Sequence, residues 1–291
     1  LKHEFEARKM GTQFRVVFYH HAAQAPDRLE DRMLQRIDEL NKVFSDYDSE
    51  SEAGRLAAIA GSGSKTTVSY DLWIVLQTAQ KISKDSYGAF DVSVGPLSKL
   101  WRRAFRQKQP PSGAQIEAAQ ALVNFKKVKM FKSKSRVELA ESGMRLDFGG
   151  IAKGYTLDVL AQVLQANGVR SYLIDAGGDI KVGLPPPEQK AWKIRIGDTG
   201  QTLQLANTAI ACSGDTFKYL EWEGVRYSHI IDPRTGWGVE NKPPVYIIAS
   251  TGMIADALAS AASILPKKSM TPLLQDYEAR MWAPPLKAKT P

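Results

Sequence analysis

Residues that build reactive centres are scarce in this chain: its 291 residues include one cysteine and four histidines. A single cysteine excludes an internal disulfide and a thiolate metal cage. Cys212 lies in the apolar stretch TAIACSG, where the expected role is a small buried hydrophobe. Long apolar runs are missing as well, so no segment reads as a membrane span. Neither an internal repeat nor a linker-like stretch divides the chain. It opens on Leu1 rather than methionine, as expected of a processed form with any targeting signal upstream.

The phosphate loop of nucleoside triphosphatases is also absent. That loop ends Gly-Lys-Ser/Thr, whereas MRLDFGGIAKGYTLDVL (Met144–Leu160) puts Lys153 before Gly154 and a tyrosine after it. Charge is unbalanced, at a formal +8, but the basic residues are scattered. Their densest cluster, FKKVKMFKSKSR (Phe125–Arg136), alternates like an exposed strand rather than a recognition helix. A solvated basic surface is expected, and nucleic-acid binding is not.

The periodicities that are present predict helices early and strands mixed with helices later. A strand is expected over Thr12–His20. A helix follows with Leu29, Met33, Ile37, Leu40 and Phe44 on one face, and Asp27 and Glu30 as a capping pair. Further helices fit Asp71–Ser86 and, after a Ser112 cap, the stretch GAQIEAAQ. RVELAESGMRLDF reads as two strands around a turn, the second ending near Phe148. SYLIDAGGDIKVGL reads as strand, Gly-Gly turn, strand, and AWKIRIGDT, VRYSHIIDP and PPVYIIAS as further strands. TGMIADALASAASIL is a helix closed by Pro266. The expected fold is α+β or mixed α/β, with mixed sheets flanked by helices in one domain across 1–291 and a loose tail at 284–291.

Four stretches carry possible chemistry. In IADALASAAS, Asp256 and Ser260 are four residues apart on one helix face among apolar or small neighbours. A carboxylate there costs free energy unless it is paired or bound to a cation. A hard-oxygen Mg²⁺ site is one reading; an Asp satisfied by local amides is equally compatible. In RYSHIIDPRTGWGV, His229 stands on a strand end beside Asp232 and a good turn; a lone histidine is usually structural, and one so placed also suits work as acid, base or ligand clamp. YGAFDVSVGPLSKLW offers a loop for a flat ligand, or a helix–loop–helix crossing with Asp91 as cap. The fourth is the Asp147–Lys153 turn, whose glycines, free amides and lysine favour an anion.

Taken in order, these stretches resemble the ApbE family, the FAD:protein FMN transferases. MGTQF, FSDYDSESEAGRL, GAFDVSVGPLSKLW, LDFGGIAKGY, DAGGDI, SGD, SHIIDPRTG and ADALAS stand in that family's order and approximate spacing. The resemblance implies a single T-fold-like mixed α/β domain that holds flavin in a cleft. It also implies Mg²⁺-dependent transfer of FMN from FAD to a Thr or Ser hydroxyl of an acceptor flavoprotein, releasing AMP. FAD hydrolysis to FMN and AMP, or flavin storage and delivery without turnover, are the alternatives.

Carried over by motif, Met10, Tyr47, Ala89, Phe90, Asp91, Asp147, Lys153 and Ile230 would contact FAD. The Gly150 carbonyl, Asp256, Ser260 and the Ala259 carbonyl would ligate Mg²⁺. His229 is the first candidate for the base and Asp232 the second. Family members act in the periplasm or cell envelope, often as lipoproteins, which sets the expected location. Three departures stand out: Ser260 replaces a common threonine, Gly150 a common alanine, and GRLA (Gly54–Ala57) the usual SRLN. Alanine in place of Gly150 is expected to matter little if only the carbonyl is used. After Pro266 the resemblance fades.

Overall fold

The structure, a computed structural model, describes residues 1–20, 28–197, 200–214, 219–240 and 243–283. In chain order its first part comprises β1 (Lys2–Lys9), β2 (Thr12–Tyr19), α1 (Leu29–Phe44), α2 (Glu52–Ala58), β3 (Thr66–Thr67), α3 (Tyr70–Asp85), α4 (Gly95–Gln107), α5 (Gly113–Gln120), β4 (Val128–Phe131) and β5 (Arg136–Leu139). The second part comprises α6 (Ala152–Ala166), β6 (Ser171–Ala176), β7 (Asp179–Val182), β8 (Trp192–Ile196), β9 (Gln201–Leu205), β10 (Thr208–Ser213), β11 (Tyr219–Trp222), β12 (Val225–Ile231), β13 (Gly238–Glu240), β14 (Val245–Ala249), α7 (Gly252–Ile264), α8 (Lys267–Asp276) and β15 (Arg280–Trp282).

A seven-stranded antiparallel sheet in the order β1-β2-β6-β7-β10-β14-β15 organises this mixed α/β fold. Alternation assigns its faces. Phe14, Val16 and Phe18 of β2 pack with Tyr172 and Ile174 of β6 against α1 and α6. Val17 points the other way, with Ile180, Val182, Ile210 and Ile248, onto the β8–β9 hairpin and its Trp192, Ile194 and Ile196. α7 is buried nearly all round, as its apolar composition requires, and sits in the largest core cluster with α3 and with Ala209, Ala211 and Ile247 of the sheet.

Several expectations shift. β1 carries no apolar run: KHEFEARK is an edge strand of mostly charged residues paired along its length with β2. Met144–Phe148 makes no ladder; it is an extended passage in which Asp147 N donates to Val92 O at 2.7 Å. At α1 the cap residue is Arg28, left-handed at φ 55° and without a side-chain cap bond, while Asp27 lies outside the described residues. α5 does carry the expected Ser112 cap, closed into a capping box by Gln115. The chain beyond Pro266 is integral: β15 pairs with β14, and Trp282 packs edge-on against Tyr246. The expected tail at 284–291 lies outside the described residues.

Candidate active-site cleft

A cleft of about 1220 Å³ opens where the β1–β2 turn, the α1–α2 loop, α4, the Phe148–Lys153 turn, β12 and α7 converge. Every site residue expected from sequence lines it except Asp232 and Ala259.

Its floor depends on how closely α6 and α7 approach. A Cβ at Gly154 would lie 2.1 Å from the Gly252 carbonyl oxygen, and one at Gly252 would lie 2.4 Å from the Gly154 oxygen. Only two glycines let these backbones touch. Contact at that point lets Gly154 N donate to Asp256 Oδ2 at 3.0 Å. One turn along α6, Asp158 accepts from Gly252 N at 2.8 Å and Met253 N at 2.9 Å, satisfying amides at the start of α7.

Lys153 enters the same floor. Its Nζ makes a close ion pair with Asp179 Oδ2 and lies 3.9 Å from Asp256 Oδ1. Asp179 is 2% exposed and also accepts from Cys212 N at 3.1 Å. Burial disfavours the Lys153 ammonium, but attraction to Asp179 and Asp256 outweighs it and holds the pKa above the ordinary lysine value. For Asp256 burial dominates and Asp179 adds repulsion; with Lys153 and the Gly154 amide offsetting only part, its pKa rises to about 7. Burial likewise raises the Cys212 thiol, which leaves it a poor nucleophile.

Ser260 lies one turn beyond Asp256, packed against Gly150: a Cβ there would come within 2.5 Å of Ser260 Oγ. Gly150 therefore leaves room for the hydroxyl, and an alanine there would require Ser260 Oγ to rotate away. The carboxylate, the hydroxyl and the Gly150 backbone form a hard-oxygen donor set of the kind that suits Mg²⁺. Among the described residues no three His, Cys, Asp or Glu side chains gather into a metal cluster. A cation here would thus rest on one carboxylate, neutral oxygens and a phosphate-bearing ligand, and would offset the burial that raises Asp256. The Ala259 carbonyl accepts from the Ser263 hydroxyl at 3.2 Å within the helix, and Ala259 does not line the cleft.

A second charged group lines the cleft around Arg102. Arg102 of α4 bonds Asp46 Oδ2 through Nη1 and Asp147 Oδ2 through Nη2 at 2.9 Å, and its guanidinium carbon lies 4.2 Å from the Tyr47 ring centroid. Asp147 Oδ1 accepts from Gly149 N at 2.8 Å. Burial raises the Asp46 carboxyl, Asp147 raises it further, and Arg102 opposes both.

The remaining candidates differ in how much of their chemistry is already engaged. Met10 sits in the tight β1–β2 turn at φ 48°, its sulfur 3.5 Å from the Thr156 hydroxyl. Ala89 and Phe90 are buried against the cleft, and the Ser86 hydroxyl receives Phe90 N at 3.1 Å. Asp91 caps a short 3₁₀ turn: Oδ1 accepts from Ser93 N at 2.8 Å and Ser93 Oγ at 2.7 Å, and Oδ2 from Phe125 N at 2.8 Å. The bland reading of Asp91 as a cap holds, and the residue lines the cleft as well. In β12 the register with β13 shifts between Tyr227 and Ile231, and Ile230 N turns to the Ser228 hydroxyl at 3.0 Å. This irregularity presents His229 and Ile230 to the cleft. Asp232 is an anchor of its own turn, with Oδ1 receiving Arg234 N and Nε and Oδ2 receiving Arg234 Nη2 at 2.7 Å. It is thereby set aside as a base.

Sequence reasoning missed Asp179 and Arg102. A signal for the first was a lone carboxylate beginning an apolar strand after Gly-Gly in DAGGDI. Arg102, one of the scattered arginines of KLWRRAFR, gave none. At Gly54 the departure also has a reason, since a Cβ would lie 2.3 Å from the Asp48 carbonyl oxygen.

The ApbE family profile matches residues 10–282, which includes the segment after Pro266 where the resemblance appeared to fade. The FAD:protein FMN transferase of Treponema pallidum is 31% identical over 291 residues, covering 92% of this chain and 80% of that protein. The one from Haemophilus influenzae is 28% identical, covering 88% and 78%. Among solved structures, the flavin transferase ApbE from Vibrio cholerae superposes with a TM-score of 0.85 at 26% identity, over 97% of this chain and 92% of that one. The ApbE protein from Thermotoga maritima gives 0.86 at 27% identity, over 97% and 93%.

Proposed function

The chain belongs to the ApbE family and is a flavin transferase, and on that premise we propose that it moves FMN from FAD to a threonine or serine hydroxyl of an acceptor flavoprotein, with Mg²⁺ bound and AMP released. One observation carries the finer reading. The cleft floor sets Asp256, Ser260 and Gly150 beside Lys153, and that floor cannot hold a pyrophosphate by its own charge. With Asp179 and Asp256 ionised, two carboxylates face one ammonium, so the group is formally negative. A doubly negative pyrophosphate needs a cation there, and Asp256 and Ser260 with the Gly150 carbonyl would hold it. Bound Mg²⁺ supplies charge neutralisation and Lewis-acid polarisation of a phosphoryl oxygen.

The chain's own residues do the rest. Lys153, held by Asp179, presents a fixed positive charge to the pyrophosphate. Met10, Phe90 and Ile230 supply apolar surface for the flat rings. Tyr47 and Asp147 line the cleft beside Arg102. The acceptor hydroxyl attacks the phosphorus of the FMN half, the new P–O ester forms, and the P–O bond to AMP breaks. His229, the base candidate that lines the cleft, takes the hydroxyl proton.

The test combines the protein, FAD, Mg²⁺ and an acceptor flavoprotein domain. Transfer predicts flavin fluorescence that stays with the acceptor on a denaturing gel and is lost when EDTA is included. AMP release without acceptor would make the chain a hydrolase, and bound FAD without AMP release would sink both reactions.

A further inference from the structure

The charged group at Arg102 lies outside the transfer chemistry, and its arrangement is unusual for an arginine facing a phosphate-bearing ligand. Nη1 is committed to Asp46, Nη2 to Asp147, and the guanidinium lies by the Tyr47 ring. Two carboxylates thus engage both terminal nitrogens of one guanidinium. Arg102 joins the α1–α2 loop to the Asp147 turn, segments about a hundred residues apart. Without it, Asp46 and Asp147 would face each other as like charges at the edge of a partly apolar cleft. Tyr47, 80% exposed, would lose the cation that backs it.

We infer that Arg102 is a positioning residue that orients the Asp147 carboxylate and the Tyr47 ring as a clamp for a planar, N–H-bearing heterocycle of the substrate. A ring stacked at Tyr47 can offer an edge N–H to a carboxylate, and a carboxylate held by both Arg102 and the Gly149 amide is pre-set to accept it. FAD carries two such rings, adenine with its exocyclic amine and isoalloxazine with its imide N–H. This inference rests on the reading of FAD as substrate.

The experiment measures FAD affinity by flavin fluorescence, together with transfer kinetics, for wild type, Arg102→Met, Arg102→Lys, Tyr47→Ala and the double variant Arg102→Met/Tyr47→Ala. Arg102→Met should weaken FAD binding about tenfold and raise KM in step, with kcat at saturating FAD changed less than about threefold. Lysine should recover part of the loss. The double variant should lose less than the product of the single losses, because Arg102 acts partly through Tyr47. Competition by AMP and by FMN then identifies the ring: the mononucleotide whose affinity falls in Arg102→Met is the one clamped. Tyr47→Ala, at an exposed position, keeps the test valid if Arg102→Met folds poorly. Unchanged affinity in a folded Arg102→Met, fully multiplicative losses, or a fall in kcat at constant KM would overturn the inference. Failure of the wild type to bind FAD would instead overturn the substrate assignment, and this inference with it.

Discussion

At the scale of single residues, the proposed Mg²⁺ site would couple protons to metal at Asp256. Its carboxyl has an ordinary pKa of 3.8 and titrates at about 7 in the fold, so the stability it contributes is full below about pH 4 and lost as the pH climbs through about 7. A cation needs the ionised form, so protons and Mg²⁺ compete. Mg²⁺ affinity should therefore fall roughly tenfold per unit below about pH 7, and calorimetric titrations at pH 6 and pH 8 would read it directly. A flat profile would remove Asp256 from the ligand set. Gly150→Ala is the second test at this scale. Its Cβ would meet Ser260 Oγ at 2.5 Å and Ser260 Cβ at 3.2 Å, so the hydroxyl must turn away. Weaker Mg²⁺ binding is expected, and unchanged binding would show that Ser260 contributes little. His229→Gln should slow transfer by ~10²–10⁴-fold while FAD binding persists; a variant with wild-type kcat would end that assignment.

Elements add what no residue supplies alone. In α6, helix propensity favours alanine over glycine by about 1 kcal/mol. At position 154 the opposite outcome is expected, because a Cβ would lie 2.1 Å from the Gly252 carbonyl oxygen and 2.7 Å from Asp256 Cβ. Gly154→Ala should destabilise the fold by ~1–3 kcal/mol, measured by urea unfolding, and should separate Lys153 from Asp256. The helices themselves were largely legible. Leu29, Met33, Ile37, Leu40 and Phe44 all face inward from α1, and the Ser112 and Gln115 pair closes a capping box, because those interactions span three or four residues. The strand expected to end near Phe148 was not legible as loop, since an extended passage and a ladder strand share a local pattern and differ only in their partners.

For the whole molecule, the cleft is the meeting of distant segments: the β1–β2 turn near residue 10, α4 near 102, the turn at 150, β12 near 230 and α7 near 256. A ligand spanning them ties separate core clusters together. FAD at a hundred times its Kd should raise the unfolding free energy by about 2.7 kcal/mol, visible as a higher melting temperature. The sequence by itself determined the family, several helix faces, about half of the strands and twelve of the residues that line the cleft, because ordered motifs and short-range periodicity are written along the chain. Tertiary structure alone decided the pairings: Lys153 with Asp179, Arg102 between Asp46 and Asp147, and Gly154 against Gly252. Each joins groups whose distance depends on how the sheet and α7 pack, or on which of several nearby donors reaches a carboxylate first. Neither quantity is set by spacing along the chain.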